Sequence, residues 1–400
     1  MKPLFLIFLS LLFQSCAENI KNLDAEQIAQ DSLILDSHID VPYRLWRQHL
    51  EGLEIDDISG STDGDFDFIR ARKGGLNVPF FSIYLPASTQ EEGTSHQMAN
   101  ELIDMIKDIV TLHPEKFILI NSVADLGSIT KKNIVGIALG MENGAPIQGD
   151  LSRVQYYFDR GIRYITLTHS KTNHISDSSY DENIQWHGLS EFGKSLIEEM
   201  NKVGIMVDIS HVNDEAFYQA IELSQVPVIA SHSSLRYFTP GFERNVDDAM
   251  LSKLAEKGGV IQINFGSSFI SSRPQDYLVS MNSYLESRLG QNLEEVSEQD
   301  IRETRSEFIA NNPYPYASLD EVLDHFDRVV QLVGIDHVGI GSDYDGVGDT
   351  LPVGLKDVSS YPALIQGLLE RGYSREDIQK ILGGNLIRVW KEVEEYAERN

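Results

Sequence analysis

Four hundred residues, 42% of them hydrophobic, supply enough apolar surface for a sizeable core and exclude wholesale disorder. The balance of 33 basic against 61 acidic residues gives a formal charge of −28, which sets nucleic acid aside as a partner. The one cysteine excludes a disulfide framework and a thiolate metal site, so any metal must be held by histidines and carboxylates.

The chain opens with Lys2 and an apolar segment, LFLIFLSLLF (4–13), too short to span a bilayer and of the length of a signal-peptide core. Cys16 follows directly after Gln14 and Ser15, an arrangement that resembles a bacterial lipoprotein signal, in which the cysteine becomes the lipidated first residue. Residues 1–16 are therefore expected to be a signal peptide with lipidation at Cys16. The mature chain is then an exported lipoprotein of the cell envelope that meets the membrane through its anchor alone. Residues 17–30 read as a polar tether or a lead-in helix, and 31–400 as a single domain.

Eight short apolar runs divide that domain: LILDSHID (33–40), VPFFSIYL (78–85), IVGIALGME (134–142), YITLTHS (164–170), IMVDISH (205–211), VPVIASHS (226–233), GVIQINF (259–265) and HVGIGSDYDG (337–346). Runs rich in β-branched residues, separated by polar stretches, predict parallel strands buried on both faces. Between them lie helical patterns with apolar spacing of three and four, such as 95–113, 189–204 and 213–225. Gly161, Gly204 and Gly334 stand just before the next strand, where helix C-caps belong. The pattern predicts an α/β chain folded as a (β/α)8 TIM-type barrel, whose chemistry sits where the strand C-termini meet the following loops. One stretch breaks the rhythm. Residues 266–319, after the seventh strand, are too long for a plain connection and predict an insertion on the active-site face. It is expected to serve as a lid or as a subunit contact that makes a homodimer.

The run ends carry the chemistry: His38, Asp40, Glu142, His169, His211, His232 and Asp343. His38 and Asp40, two apart on a strand, point to the same side and can converge on one ion. Glu142 closes an apolar run, where a bare carboxylate is costly to bury without a partner. Neutral imidazoles at two further run ends are favoured ligands for zinc and similar ions. Packing alone does not gather these groups at one end of a barrel, so the chain reads as a metal-dependent hydrolase. His337 begins the eighth strand and belongs to the opposite end. His49, His96, His113 and His325 sit in helical or loop patterns with no partner motif, and His174 and His187 read as solvated loop residues.

DSHID (36–40), GMENG (140–144), LTHS (167–170) with Asn173, DISHV (208–212), SHSS (231–234), RNV (244–246), GSDYDG (341–346) and GGNLIRV (383–389) together resemble the membrane (renal) dipeptidase family of the amidohydrolase-type barrels. The likeness runs from about residue 30 to 395, in order, and no single motif carries it. It implies a zinc peptidase with two ions per chain that cleaves small dipeptides, tolerates a C-terminal D-residue and, in some members, opens β-lactams. Carried over by position, it implies that His38, Asp40 and Glu142 hold one zinc and Glu142, His211 and His232 the second, with Glu142 bridging. It implies further that Asp343 moves the proton, that His169 meets the substrate at the oxyanion, and that Arg244 pairs with the substrate's C-terminal carboxylate. Phe269 departs from the pattern, standing where the mammalian members are expected to carry a tyrosine near that carboxylate.

Two other readings stay open at this point: another amidohydrolase-type amide or lactam hydrolase, and a tethered metal- or ligand-binding lipoprotein with an inactive barrel. A phosphotriesterase-like site would want a bridging lysine where His169 stands, and deaminases favour H-x-H where this chain has H-x-D.

The N-terminal reading has its own test. Cys16→Ser is expected to move the protein from the membrane fraction to the soluble fraction with activity intact. A parent protein that is soluble and carries no acyl group by mass spectrometry excludes the lipid anchor.

Overall fold

The computed structural model describes residues 24–129, 133–290 and 296–400, so the signal segment and Cys16 lie outside the described residues. Among the described residues nine strands follow in order: β1 (Ile34–Ile39), β2 (Leu76–Tyr84), β3 (Phe117–Leu119), β4 (Val135–Glu142), β5 (Ile162–Thr166), β6 (Met206–Asp208), β7 (Ile229–Ala230), β8 (Val260–Ile263) and β9 (Val338–Ile340). All pair in parallel, and eight of them run β1-β2-β4-β5-β6-β7-β8-β9 around a (β/α)8 barrel. Closure between first and last comes just above the ladder: Asp40 N donates to Tyr344 O at 2.9 Å and Asp343 N to His38 O at 3.0 Å. The two chain segments that close the barrel are thus the ones that carry His38, Asp40 and Asp343.

The ninth strand was not expected from the sequence. β3 pairs only with Val135–Ile137, the lower half of β4, while β2 takes the upper half from Ala138 to Glu142. Three residues are too few to give a periodic signal. Every residue of β1 and β4 is buried, as strands covered on both faces require. Leu35, Val78, Phe80, Ala138, Tyr164, Met206, Ile229 and Val260, drawn from seven barrel strands, form one buried cluster with Leu386, Val389 and Trp390 of the C-terminal helix Asn385–Ala397. Trp390 meets Phe80 edge-on at 5.2 Å. The GGN motif serves this closure, since Asn385 Nδ2 donates to Ile335 O and Val338 O at 2.7 and 2.8 Å, beside the start of β9.

Residues 24–31 are helical and bury Ala25, Ile28 and Ala29 in the main core, so this part of the stretch read as a tether or lead-in helix is the helix. The stretch after β8 is helical too: Ser267–Ile270, Ser272–Leu289 and Glu298–Asn311. The two longer helices share a small core of Met281, Leu285 and Phe308.

His325, set aside from the sequence as a helix residue without a partner, is fully buried in the helix Leu319–Val333 and ties two loops together. Leu235 N donates to its Nδ1 at 3.1 Å, so the proton sits on Nε2, which donates to Ile270 O at 3.0 Å. Burial pushes its pKa down to about 4, with a partial offset from the hydrogen bond to Ile270. The native imidazole is therefore neutral where the unfolded one, near 6.5, is protonated. Stability from this residue is complete above pH 6.5 and falls by up to about 3 kcal/mol as the pH drops toward 4. His325→Gln, which can reproduce both hydrogen bonds but does not titrate, is expected to show a shallower loss across that window in urea unfolding; identical slopes would remove His325 from the acid response.

Candidate metal and active site

His38 and Glu142 stand at the ends of β1 and β4 themselves, and most of the other functional side chains come just past the strands. His169, His211 and Asp343 stand three residues past β5, β6 and β9, and His232 stands two past β7. Their backbones turn sharply: His211 (φ 71°), Asp343 (φ 64°) and Asn143 (φ 80°, beside Glu142) occupy the left-handed region that non-glycine residues avoid. Such residues cost of order 1–3 kcal/mol each and persist where the surroundings fix them. Here the turn swings each side chain inward over the barrel mouth.

At the centre is the Glu142 carboxylate. Its Oε2 lies 3.3 Å from His38 Nε2, and its Oε1 lies 3.1, 3.2 and 3.4 Å from Nε2 of His211, His232 and His169. Asp40 Oδ2 is 3.5 Å from His38 Nε2. Among the described residues three groups can hold a metal ion: His38–Glu142–His232, Glu142–His169–His211 and His38–Asp40–Asp343. The seven residues expected at the strand ends are thus brought together. The other seven histidines are not among the residues lining the cavity above them.

The electrostatics favour an anion at Glu142 and neutral imidazoles at His169, His211 and His232, whereas at His38 the pull of burial is outweighed by Tyr164, Glu142 and Asp40, which raise its pKa well above the usual range. Burial alone would push the Glu142 carboxyl up, but His38, His169 and hydrogen bonds from His211 and His232 hold it well below its usual range. Burial, with Arg244 and His169 beside His211 and His38 beside His232, drives both of these imidazoles well below theirs. Their Nε2 atoms nevertheless face each other at 2.8 Å, and His38 Nε2 is buried with no hydrogen bond. Nitrogens aimed at one another and at a shared carboxylate, without thiolate, fit a divalent ion of the zinc type. Asp343 behaves oppositely: burial and the adjacent Asp40 raise its carboxyl well above the usual range, and Asn264 Nδ2 donates to its Oδ2 at 2.7 Å.

Several supporting residues escaped the sequence reading because they lie inside apolar runs or far along the chain. Tyr164 hydrogen-bonds His38 Nδ1 at 2.8 Å; Ser231 hydrogen-bonds His232 Nδ1 at 2.8 Å and donates to Asp208 Oδ2 at 2.6 Å; Ser82 donates to Glu142 Oε2 at 3.0 Å. Two glycines make room. A Cβ on Gly140 would come within 1.9 Å of Tyr164 Cζ, and one on Gly346 within 2.2 Å of both Asp40 Oδ2 and Asp343 Oδ1.

Arg244 is 3% exposed and donates to Ser233 Oγ and His232 O, both at 2.7 Å, with its guanidinium 5.3 Å above the Phe269 ring. Asn245 Nδ2 donates to Phe269 O at 2.7 Å, joining this loop to the insertion. Ser268, Phe269, Leu278 and Tyr314 from the insertion region line a cavity of about 920 Å³ above the carboxylates, with Tyr43, Tyr84 and Tyr180 among its other walls. His169 opens into it, its side chain 19% exposed against 5% or less for His38, His211 and His232.

Partners that orient a ligating imidazole typically contribute 10- to 100-fold to metal affinity. Tyr164→Phe is therefore expected to weaken metal binding at the His38 group by roughly that factor in a competitive chelator titration, with the fold unchanged. Unaltered affinity would show that the phenol does not orient His38.

The sequence profile of the membrane dipeptidase family (Peptidase family M19) matches residues 23–400. Dipeptidase 3 of Mus musculus is 30% identical over 379 residues, spanning 93% of this chain and 67% of that relative. The crystal structure of the probable dipeptidase PvdM from Pseudomonas aeruginosa superposes with a TM-score of 0.81 at 27% identity, covering 95% of this chain and all of that one. A metallo peptidase from Rhodobacter sphaeroides, solved with a phosphinate mimic of the dipeptide L-Ala-D-Ala, shares the fold at 24% identity and a TM-score of 0.72, over 91% of this chain and 100% of that one. With this barrel and these clusters in place, the chain belongs to the membrane dipeptidase family and is a metallo-dipeptidase.

Proposed function

We propose that the protein hydrolyses dipeptides at a pair of zinc ions, Glu142 bridging them, with His38 and Asp40 completing one site and His211 and His232 the other. The observation that carries this reading is the division of one carboxylate: Glu142 Oε2 faces His38 at 3.3 Å while Oε1 faces His211 and His232 at 3.1 and 3.2 Å. Two adjacent divalent cations would polarise the scissile carbonyl and lower the pKa of an attacking water. Asp343 is buried at the edge of this cluster, steadied by Asn264, and receives the water's proton before returning it to the leaving amine. His169 faces the cavity and donates to the oxyanion as the carbonyl becomes tetrahedral. Arg244, desolvated beside the His232 backbone, forms a charge-assisted pair with the substrate's C-terminal carboxylate, which fixes register and disfavours longer peptides. The dipeptide mimic held by the Rhodobacter sphaeroides enzyme ends in D-alanine, which supports including C-terminal D-residues in the substrate set. In the same reading Cys16 tethers this chemistry to the cell envelope.

A second role for His169 has its own observation, since its Nε2 is 3.4 Å from Glu142 Oε1 and it groups with Glu142 and His211 as a ligand set. Zinc stoichiometry and turnover separate the two. The zinc-loaded wild type is expected to release free amino acids from L-Ala-L-Ala and L-Ala-D-Ala, and no release from any dipeptide would sink the proposal. His169→Leu is expected to keep its zinc and lose about 10²–10³ in kcat, because an oxyanion contact is made mainly in the transition state. A missing zinc would make His169 a ligand, and near-normal turnover would reduce it to packing.

A further inference from the structure

We propose that the Tyr180 hydroxyl is a second donor, beside Arg244, to the C-terminal carboxylate of the bound dipeptide; this rests on the dipeptidase reading above. A carboxylate has about four lone-pair sites, and those that lose water to a protein wall without gaining a donor carry a desolvation cost. Arg244 approaches from one side and can fill only some of them. Its Nη1 and Nη2 each already serve a protein acceptor, Ser233 Oγ and His232 O, while its buried Nε has no partner, and Phe269 offers a ring face but no hydrogen bond.

Tyr180 stands in the same corner. Its ring lies 5.9 Å from His211 and 6.0 Å from Phe242, and Phe242 in turn lies 5.8 Å from Phe269, the ring beneath Arg244. These contacts connect Tyr180, on the cavity wall beside a candidate metal ligand, to Phe269, the cavity-lining ring that Arg244 packs against. The loop that carries Tyr180 is pinned to the site: Ser178 Oγ donates to His169 O, Ser179 N donates to His211 O at 2.8 Å, and Tyr180 N donates to Ser178 Oγ at 3.2 Å. A side chain held so tightly at its root can aim its tip without losing much freedom on binding.

The tip itself is free. Tyr180 lines the cavity, is 42% exposed, and its hydroxyl has no hydrogen-bond partner among the described residues. A phenol is protonated at neutral pH, so the hydroxyl is available there as a donor.

Tyr180→Phe removes the hydroxyl and keeps the ring. Calorimetry on the zinc-loaded protein compares two phosphinate dipeptide analogues, one with a free C-terminal carboxylate and one with that group as an amide. Dipeptide kcat and KM and zinc content are measured alongside. A hydrogen bond to a charged group corresponds to roughly 10- to 100-fold in affinity. The carboxylate analogue is expected to weaken by that factor and KM to rise with it, while the amide analogue, kcat and zinc content stay near wild type. Equal weakening of both analogues, or none, overturns the proposal. So does a loss confined to kcat, which would put the hydroxyl on the oxyanion. A wild type that binds the carboxylate analogue but cleaves no dipeptide overturns the functional reading alone, and the calorimetric comparison still decides Tyr180.

Discussion

A single ionised carboxylate, sealed almost completely from water, is the constraint on which the rest of this structure depends. The Glu142 side chain is 5% exposed, and isolated burial would drive it to take up a proton. It stays anionic because four imidazoles reach it, from the end of β1 and from the loops after β5, β6 and β7. Those imidazoles are themselves desolvated, and their lone pairs or N–H groups compete for one anion. Neither half of this arrangement is favourable alone. Together they form a pocket of donors whose charge balance is completed by cations, so the folded barrel and metal binding stabilise each other.

The backbone bears the cost of that convergence. Parallel strands end with their last side chains pointing alternately in and out, which cannot by itself bring seven polar groups over one mouth. Left-handed His211 and Asp343 provide the extra rotation, and Gly140 and Gly346 remove the Cβ atoms that would block Tyr164, Asp40 and Asp343. Substitution at these glycines would thus disturb the metal site without touching a ligand. The same logic explains why the loops after β6 and β7 are laced to Asp208, whose Oδ1 accepts Ser210 N and Ser231 N at 3.1 and 2.8 Å.

Most of the architecture was legible because strands covered on both faces must be continuous apolar runs, and a histidine or carboxylate at the end of such a run is conspicuous. The limits were physical as well. Leu167 and Ile209 still pack in the core beyond the ends of β5 and β6, so hydropathy extended the runs past the hydrogen-bonded ladder. Tyr164 and Ser231 sit within runs, where they read as filler, and their partners lie 126 residues away or on a third strand. The insertion's helices bury few side chains, which left their periodicity too weak to separate helix from loop. For Arg244, no local pattern distinguishes a buried arginine from a solvated one; only the resemblance to a family pointed to it.

The site divides into a cluster of candidate ligands made of strand ends and a wall made of loops, and the two are joined at few points. Arg244 is bonded to the backbone of His232, so the wall registers directly against one candidate metal ligand. On its other side, Asn245 holds Phe269 O, and His325 holds Leu235 N and Ile270 O, which locks the arginine loop and the first turn of the insertion into one unit. Changes in the insertion can therefore reshape the wall, through Phe269 and Leu278, while the Glu142 cluster below keeps its geometry. That separation leaves the loop wall free to vary over an unchanged ligand cluster, as loops carried on a rigid scaffold generally are.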